Sequence, residues 1–223
     1  MLKGKGVLSP FQRAFLRLFA NLPDQERFYL AGGTALAEYY LGHRFSFDLD
    51  LFTSETDLIV PFSYTIEKAA QSRSLEIEIV RRFASFVQFQ VSNGEEHLKV
   101  DLALDSPFRF ARAVPGDAGV MVNDFQDLQT DKTLAFFGRA EPRDAIDLYF
   151  LLQKTKFEEL AEFARQKDTG FDLYWFAVAL NRTAKFPDEI ERWPVKMLAV
   201  CDPVELKRSF RELAIRIMAD HPK

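Results

Sequence analysis

Residues Tyr29–Thr53 read YLAGGTALAEYYLGHRFSFDLDLFT. A short apolar run, Phe28 to Ala31, meets two glycines, and Thr34 to Leu41 then continues with helical patterning up to Gly42. Beyond the helix, Phe45 to Phe52 alternates as a strand does, with Phe45, Phe47, Leu49 and Leu51 expected on one face. Ser46, Asp48 and Asp50 are expected on the other, so two carboxylates stand side by side on one edge. Like charges that close raise each other's pKa unless a positive group offsets them. This strand–turn–helix–strand reading sets the architecture of the first half of the chain.

The surroundings extend it. Pro10 to Leu22 reads as an amphipathic helix with Phe11, Phe15, Leu18 and Phe19 on one stripe and Arg13 and Arg17 off it. Ile59 to Ser72 reads as a second helix entered through Pro61. Three strands follow, over 75–83, 85–91 and 97–104, and Ser92-Asn93-Gly94-Glu95 is a hairpin turn between the last two. Near Val114–Gly119 the character changes, and only helices are expected beyond, over 128–137, 142–154, 157–166, 171–181 and 203–219. The fold class expected is α+β: a small mixed sheet with flanking helices over residues 1–118, then a helical domain over 119–223 closing a cleft.

Bulk properties narrow the function. With 223 residues, 48% hydrophobic and 28% charged, the chain can bury a sizeable core. The 23 phenylalanines sit mostly in apolar periodic runs and read as core. Net charge is -4, evenly spread: 13 Lys+Arg against 15 Asp+Glu in residues 1–120, and 16 against 18 in the rest. A long basic face for duplex DNA is disfavoured; a local basic pocket for a phosphorylated substrate is not. Cys201 is the single cysteine, so no intrachain disulfide forms, in keeping with a reducing cytoplasm. No membrane span or signal peptide is expected.

Each chemical motif has two readings. Gly32-Gly33-Thr34 at a strand–helix turn suits a phosphate, with Thr34 capping the helix or offering its hydroxyl; a plain capped turn needs the same residues. Asp48 and Asp50 suit a hard divalent cation, or are solvated aspartates on an open strand. Asp101 shares the outward face of its own strand with Lys99, and on a neighbouring strand it completes a three-aspartate cage. Asp105, at that strand's end, reads as a loop residue. Lys132 and Arg139 share a helix face, Arg143 and Asp147 form an i,i+4 pair, and Lys132 with Asp147 either serves a cleft or is an interhelical salt bridge.

These motifs, in this order, resemble the AbiEii/AbiGii nucleotidyltransferase toxin family within the DNA-polymerase-beta-like nucleotidyltransferase superfamily. The resemblance rests on Gly32-Gly33-Thr34 leading through His43–Phe47 to Asp48–Phe52, on Lys99-Val100-Asp101, on Asp131-Lys132, and on Arg143–Tyr149. It implies a phosphate site at Gly32, Gly33, Thr34 and Ser46, and metal ligands at Asp48, Asp50 and Asp101, the last either a ligand or the base for an acceptor hydroxyl. It implies Lys132 on the nucleotide phosphates and Asp147 completing a catalytic set of Asp48, Asp50, Asp101, Lys132 and Asp147. Mg²⁺ or Mn²⁺, an NTP substrate, an RNA acceptor such as tRNA and a separately encoded antitoxin come with it. A small-molecule or protein acceptor, or a binding protein with a degenerate site, are the alternatives. The last 70 residues carry no matching motif.

Overall fold

The computed structural model describes residues 1–220. It divides into two compact units, Met1–Phe125 and Gln126–Lys223.

In the first unit, Ser9 opens helix α1 (Pro10–Phe19) with a reciprocal capping box to Gln12. Strand β1 (Tyr29–Ala31) runs into α2 (Gly32–Ala35), whose last turns widen to a π-helical stretch, Leu36–Leu41, closed by Gly42 at φ +67°. Then come β2 (Leu49–Thr53), α3 (Thr56–Ser72), β3 (Glu76–Phe83), β4 (Phe86–Ser92), β5 (His97–Leu104), β6 (Val114–Pro115) and β7 (Met121–Val122). The sheet order is β3-β4-β5-β2-β1-β7-β6. β2 is antiparallel to β1 and parallel to β5, and β1 is parallel to β7.

One face of this sheet is the core. Leu49, Leu51, Val87, Phe89, Val91, Leu98, Val100 and Leu102 are all buried. Helix α3 packs across β2 to β5 on that side, with Ile59, Phe62, Ile66 and Ala70 buried. Phe28 and Phe62 rings lie 4.3 Å apart and Phe19 closes the cluster edge-on at 5.3 Å. Each such ring contributes about 2–3 kcal/mol by leaving water. By strand alternation, the opposite face carries Asp50, Asp101, Gln88 and Arg81 in one hydrogen-bonded row.

Three expectations change. Strand β2 begins at Leu49, so Phe45 and Phe47 do not continue its buried face; Phe47 is 65% exposed and its ring stacks beside that of Phe45 at 6.5 Å. Pro61 lies inside α3, not at its start: the helix begins five residues earlier, and the proline leaves one bond of the helical ladder without its donor. Residues beyond 118 are not all helical, because β7 extends the sheet beside β1, and the division falls after Phe125.

The second unit is helical: α4 (Phe125–Arg139), α5 (Pro142–Leu152), α6 (Phe157–Lys167), α7 (Leu173–Arg182) and α8 (Pro203–Asp220). Its core is aromatic. Phe136 meets Phe176 and Phe210 edge-on at 5.8 and 5.5 Å, and Phe157 stacks on Phe176 at 5.6 Å. Phenylalanine thus builds the core of both units, while Phe47, Phe83 and Phe108 are exposed. Among the described residues no helix is long and apolar enough to cross a membrane.

Candidate active site

The site begins with backbone geometry. Gly32 has φ +64°, a left-handed conformation that L side chains adopt at a cost. Its bare Cα also lets the Asp50 carboxylate come down on the turn: a Cβ there would stand 1.8 Å from Asp50 Oδ2. Gly33 does the same for the loop before β2, since a Cβ would meet an Arg44 guanidinium nitrogen at 2.7 Å and Ser46 Oγ at 2.9 Å. The residue before α2, Ala31, offers no side-chain cap.

Thr34 is therefore not the helix cap that the sequence suggests. It lies inside the helix, fully buried, and its hydroxyl donates to the Asp48 backbone carbonyl. Gln12 Nε2 donates to the Ser46 carbonyl at 2.9 Å, and Arg44 Nη1 to the Phe45 carbonyl at 3.0 Å. The segment that bears Ser46 and Asp48 is thus pinned from α1 and α2, which takes the place of strand pairing.

The carboxylates meet by register. Asp50 pairs with Asp101 across the parallel β2–β5 ladder, so their side chains are neighbours on the open face. Asp48, one residue ahead of β2, lies within reach of Lys99 on β5. The Lys99 ammonium lies 2.8 Å from Asp101 Oδ2 and 3.5 Å from Asp48 Oδ2. Partial burial alone would lower its pKa, but the hydrogen bond to Asp101 and the charges of Asp101, Asp48 and Asp50 outweigh that and raise it. Gln88 Nε2 donates to Asp101 Oδ1 at 2.9 Å, so both oxygens of Asp101 are held.

These donors fit a hard cation in a particular way. Among the described residues no three acidic, histidine or cysteine side chains converge as a ready-made metal cluster, and Lys99 stands between Asp101 and Asp48. A cation already sits among these oxygens, in the form of the ammonium. Mg²⁺ binds through one or two carboxylates and completes its shell with water and phosphate, which Asp48 and Asp50 can supply without a full protein cage.

In the second unit, Lys132 Nζ is 2.9 Å from Asp147 Oδ2, with the Asp147 side chain fully buried and that of Lys132 11% exposed. Arg139 grips the buried Asp144 with two bonds of 2.6 and 2.7 Å. These are two ionic links between α4 and α5. Asp147 therefore answers Lys132 of α4 and not Arg143 along its own helix; Arg143 is exposed. Asp131, next to Lys132, is tied to the buried Lys167 of α6 at 2.6 Å, and Lys167 also reaches Asp127 at 3.1 Å. Asp105 lies just past β5, where it accepts from the Tyr29 hydroxyl and pairs with Arg109.

Sequence reasoning passed over Lys99 and Gln88 as members of the site. Both were reachable: Lys99 sits two residues before Asp101 on the same face, and the Asn93-Gly94 turn, pairing Ser92 with His97, puts Gln88 opposite Asp101. Lys167 left no such signal, since its partners lie 36 to 40 residues away and only tertiary packing joins them.

Solved structures share this fold. A Helicobacter pylori protein described as a nucleotidyltransferase superposes with a TM-score of 0.63 at 20% identity, covering 96% of this chain and 97% of that one. JHP933 from Helicobacter pylori gives 0.56 at 21% identity, over 93% and 89% of the two chains. MenT4, a nucleotidyltransferase toxin from Mycobacterium tuberculosis, gives 0.57 at 16% identity, over 95% and 82%. A curated relative, the Aquifex aeolicus protein aq_aa25, is 28% identical over 182 residues, 81% of this chain and 84% of that one; it is described only as uncharacterized. Residues 13–202 match the family described as "Nucleotidyl transferase AbiEii toxin, Type IV TA system", and the chain belongs to that family. It is a nucleotidyltransferase, and the match runs well past the motifs that end near residue 152.

Proposed function

We propose that this nucleotidyltransferase is metal-dependent and moves a nucleoside monophosphate from an NTP to a hydroxyl of an RNA acceptor, such as a tRNA end. In this reading it works in the cytoplasm as the toxin of a type IV system with a separately encoded antitoxin. The observation that carries the reading is the juxtaposition of Asp50 with Asp101 across β2–β5, with Asp50 directly against the Gly32-Gly33 turn. Carboxylates beside a helix start opened by glycine suit metal and phosphate together.

Asp48 and Asp50 are the ligands of Mg²⁺ or Mn²⁺, and Asp101 is the third carboxylate, as ligand or as base. A bound divalent ion offsets charge on the α-phosphate and on the leaving pyrophosphate. Gly32, Gly33 and Ser46 offer donors to phosphate oxygens, while Thr34 holds Asp48 in position through its carbonyl. Lys132, oriented by Asp147, supplies positive charge to the phosphates. The acceptor oxygen bonds to the α-phosphorus, the bond to pyrophosphate breaks, and the acceptor's proton leaves to a carboxylate or water.

A small-molecule acceptor is the second reading, favoured by the evenly spread charge of -4, which suits a cationic or compact acceptor as well as a polyanion. Incubation with each α-labelled NTP and with total RNA, protein or small-molecule extract separates the two. Label in RNA is expected; label confined to small molecules or protein overturns the RNA assignment. Growth arrest on induction, relieved by Asp50→Ala and by a neighbouring gene, tests the toxin–antitoxin part.

A further inference from the structure

Lys99 belongs to none of the roles above, yet its ammonium stands among the carboxylates proposed to hold a divalent ion. Its Nζ donates to Asp101 Oδ2 at 2.8 Å and lies 3.5 Å from Asp48 Oδ2, on a flexible stem that is 37% exposed. A divalent ion held by carboxylate oxygens at about 2.1 Å draws on the same negative charge. Ammonium and ion repel each other at such range, and a lysine stem has the freedom to swing away.

We infer that Lys99 is the resident counter-ion of the aspartate face, and that a divalent ion binds by displacing it. The inference rests on the metal reading of Asp48 and Asp50. Lys99 keeps Asp48, Asp50 and Asp101 gathered on one face against their mutual repulsion before nucleotide arrives. It thereby sets a threshold: an ion must outcompete a tethered ammonium, so binding strengthens when phosphate oxygens join the shell. This is a positioning and selectivity role, opposite in sign to that of a brace whose loss would disorder the ligands.

The test is Mn²⁺ binding to the nucleotide-free protein, read from the electron paramagnetic resonance signal of free Mn²⁺, with thermal melting to verify folding. Lys99→Met and Lys99→Gln are each expected to bind Mn²⁺ about three- to tenfold more tightly than the wild type, the scale of one half-exposed ion pair. Arg81→Met is the control. Arg81 shares the row, next to Gln88 and two strands from Asp101, so its loss removes the same charge at about 10 Å without touching a carboxylate. It is expected to leave the affinity unchanged.

Weaker or unchanged binding in both Lys99 variants, alongside wild-type binding that Asp50→Ala abolishes, overturns the counter-ion role and leaves the metal reading standing. Equal tightening by Arg81→Met also overturns it, since a general field would then suffice. No Mn²⁺ binding by the wild type or either Lys99 variant overturns both readings.

Discussion

Gly32→Ala separates backbone strain from damage to the reacting centre. The substituted residue keeps φ near +64°, which costs an L residue about 1–2 kcal/mol. Its Cβ also falls 1.8 Å from Asp50 Oδ2 and 3.1 Å from Asp50 Cβ, so the carboxylate must rotate away. An off-rotamer side chain adds on the order of 1 kcal/mol. The sum, about 2–3 kcal/mol, lowers Tm by roughly 5–10 °C in a chain of this size. A ligand displaced by an ångström or more should lower transfer at least about 100-fold. Gly94→Ala supplies the comparison: φ is +91° in the β4–β5 turn, but nothing lies within 4 Å of the added carbon. That variant should lose about 1–2 kcal/mol and keep full activity. The assay is transfer from an α-labelled NTP beside a melting curve for each protein. If Gly32→Ala melts like Gly94→Ala and transfers label at the wild-type rate, the close approach of Asp50 to the turn has no part in catalysis.

Three further outcomes follow from the same geometry. Asp147→Ala leaves the Lys132 ammonium 11% exposed without its partner, so it should lose about 3 kcal/mol in urea unfolding, the low end for a broken buried pair; a Lys132→Met, Asp147→Leu double variant should recover most of the stability but not transfer, and equal loss in both would contradict this. Thr34→Val removes the hydroxyl bond to the Asp48 carbonyl and should cost about 1 kcal/mol and lower transfer, whereas Thr34→Ser keeps the rate; no difference between the two refutes the positioning role. Burial, and after it the Asp202 charge, pushes the Cys201 thiol up to about 11, so alkylation by iodoacetamide should rise roughly tenfold per pH unit from 8 to 10; a rate at pH 8 equal to that of free cysteine would be inconsistent with that environment.

How much of this was legible in the sequence depends on the range of the interaction. The strand–glycine–helix opening, the alternation of His97–Leu104 and the Asn93-Gly94 turn are local signals, and each produced the element expected. Asp50 and Asp101 became neighbours because two alternating strands share one buried face and therefore one open face. Alternation failed at Phe45 and Phe47, where the backbone is held by Gln12, Arg44 and Thr34 instead of a ladder. Those bonds span up to 34 residues, and no periodicity records them. The short strand β7 was hidden for a related reason: two residues, Met121 and Val122, are too few to show a period, and only pairing with β1 makes them a strand. The pairing of Asp147 with Lys132 was one of the readings open in the sequence; Arg143, its neighbour along the helix, is exposed, and burial chose the lysine.

The central claim is that Asp48 and Asp50 hold the metal across which a nucleoside monophosphate is transferred. It is tested most directly by incubating parallel samples with α-labelled and γ-labelled NTP and the acceptor pool, with Mg²⁺ or EDTA, for the wild type, Asp48→Ala and Asp50→Ala. The account predicts α-label in the acceptor and γ-label in released pyrophosphate, for the wild type with Mg²⁺ alone. Transfer of the γ-label to the acceptor, or α-label transfer that persists in EDTA or in either aspartate variant, would contradict it.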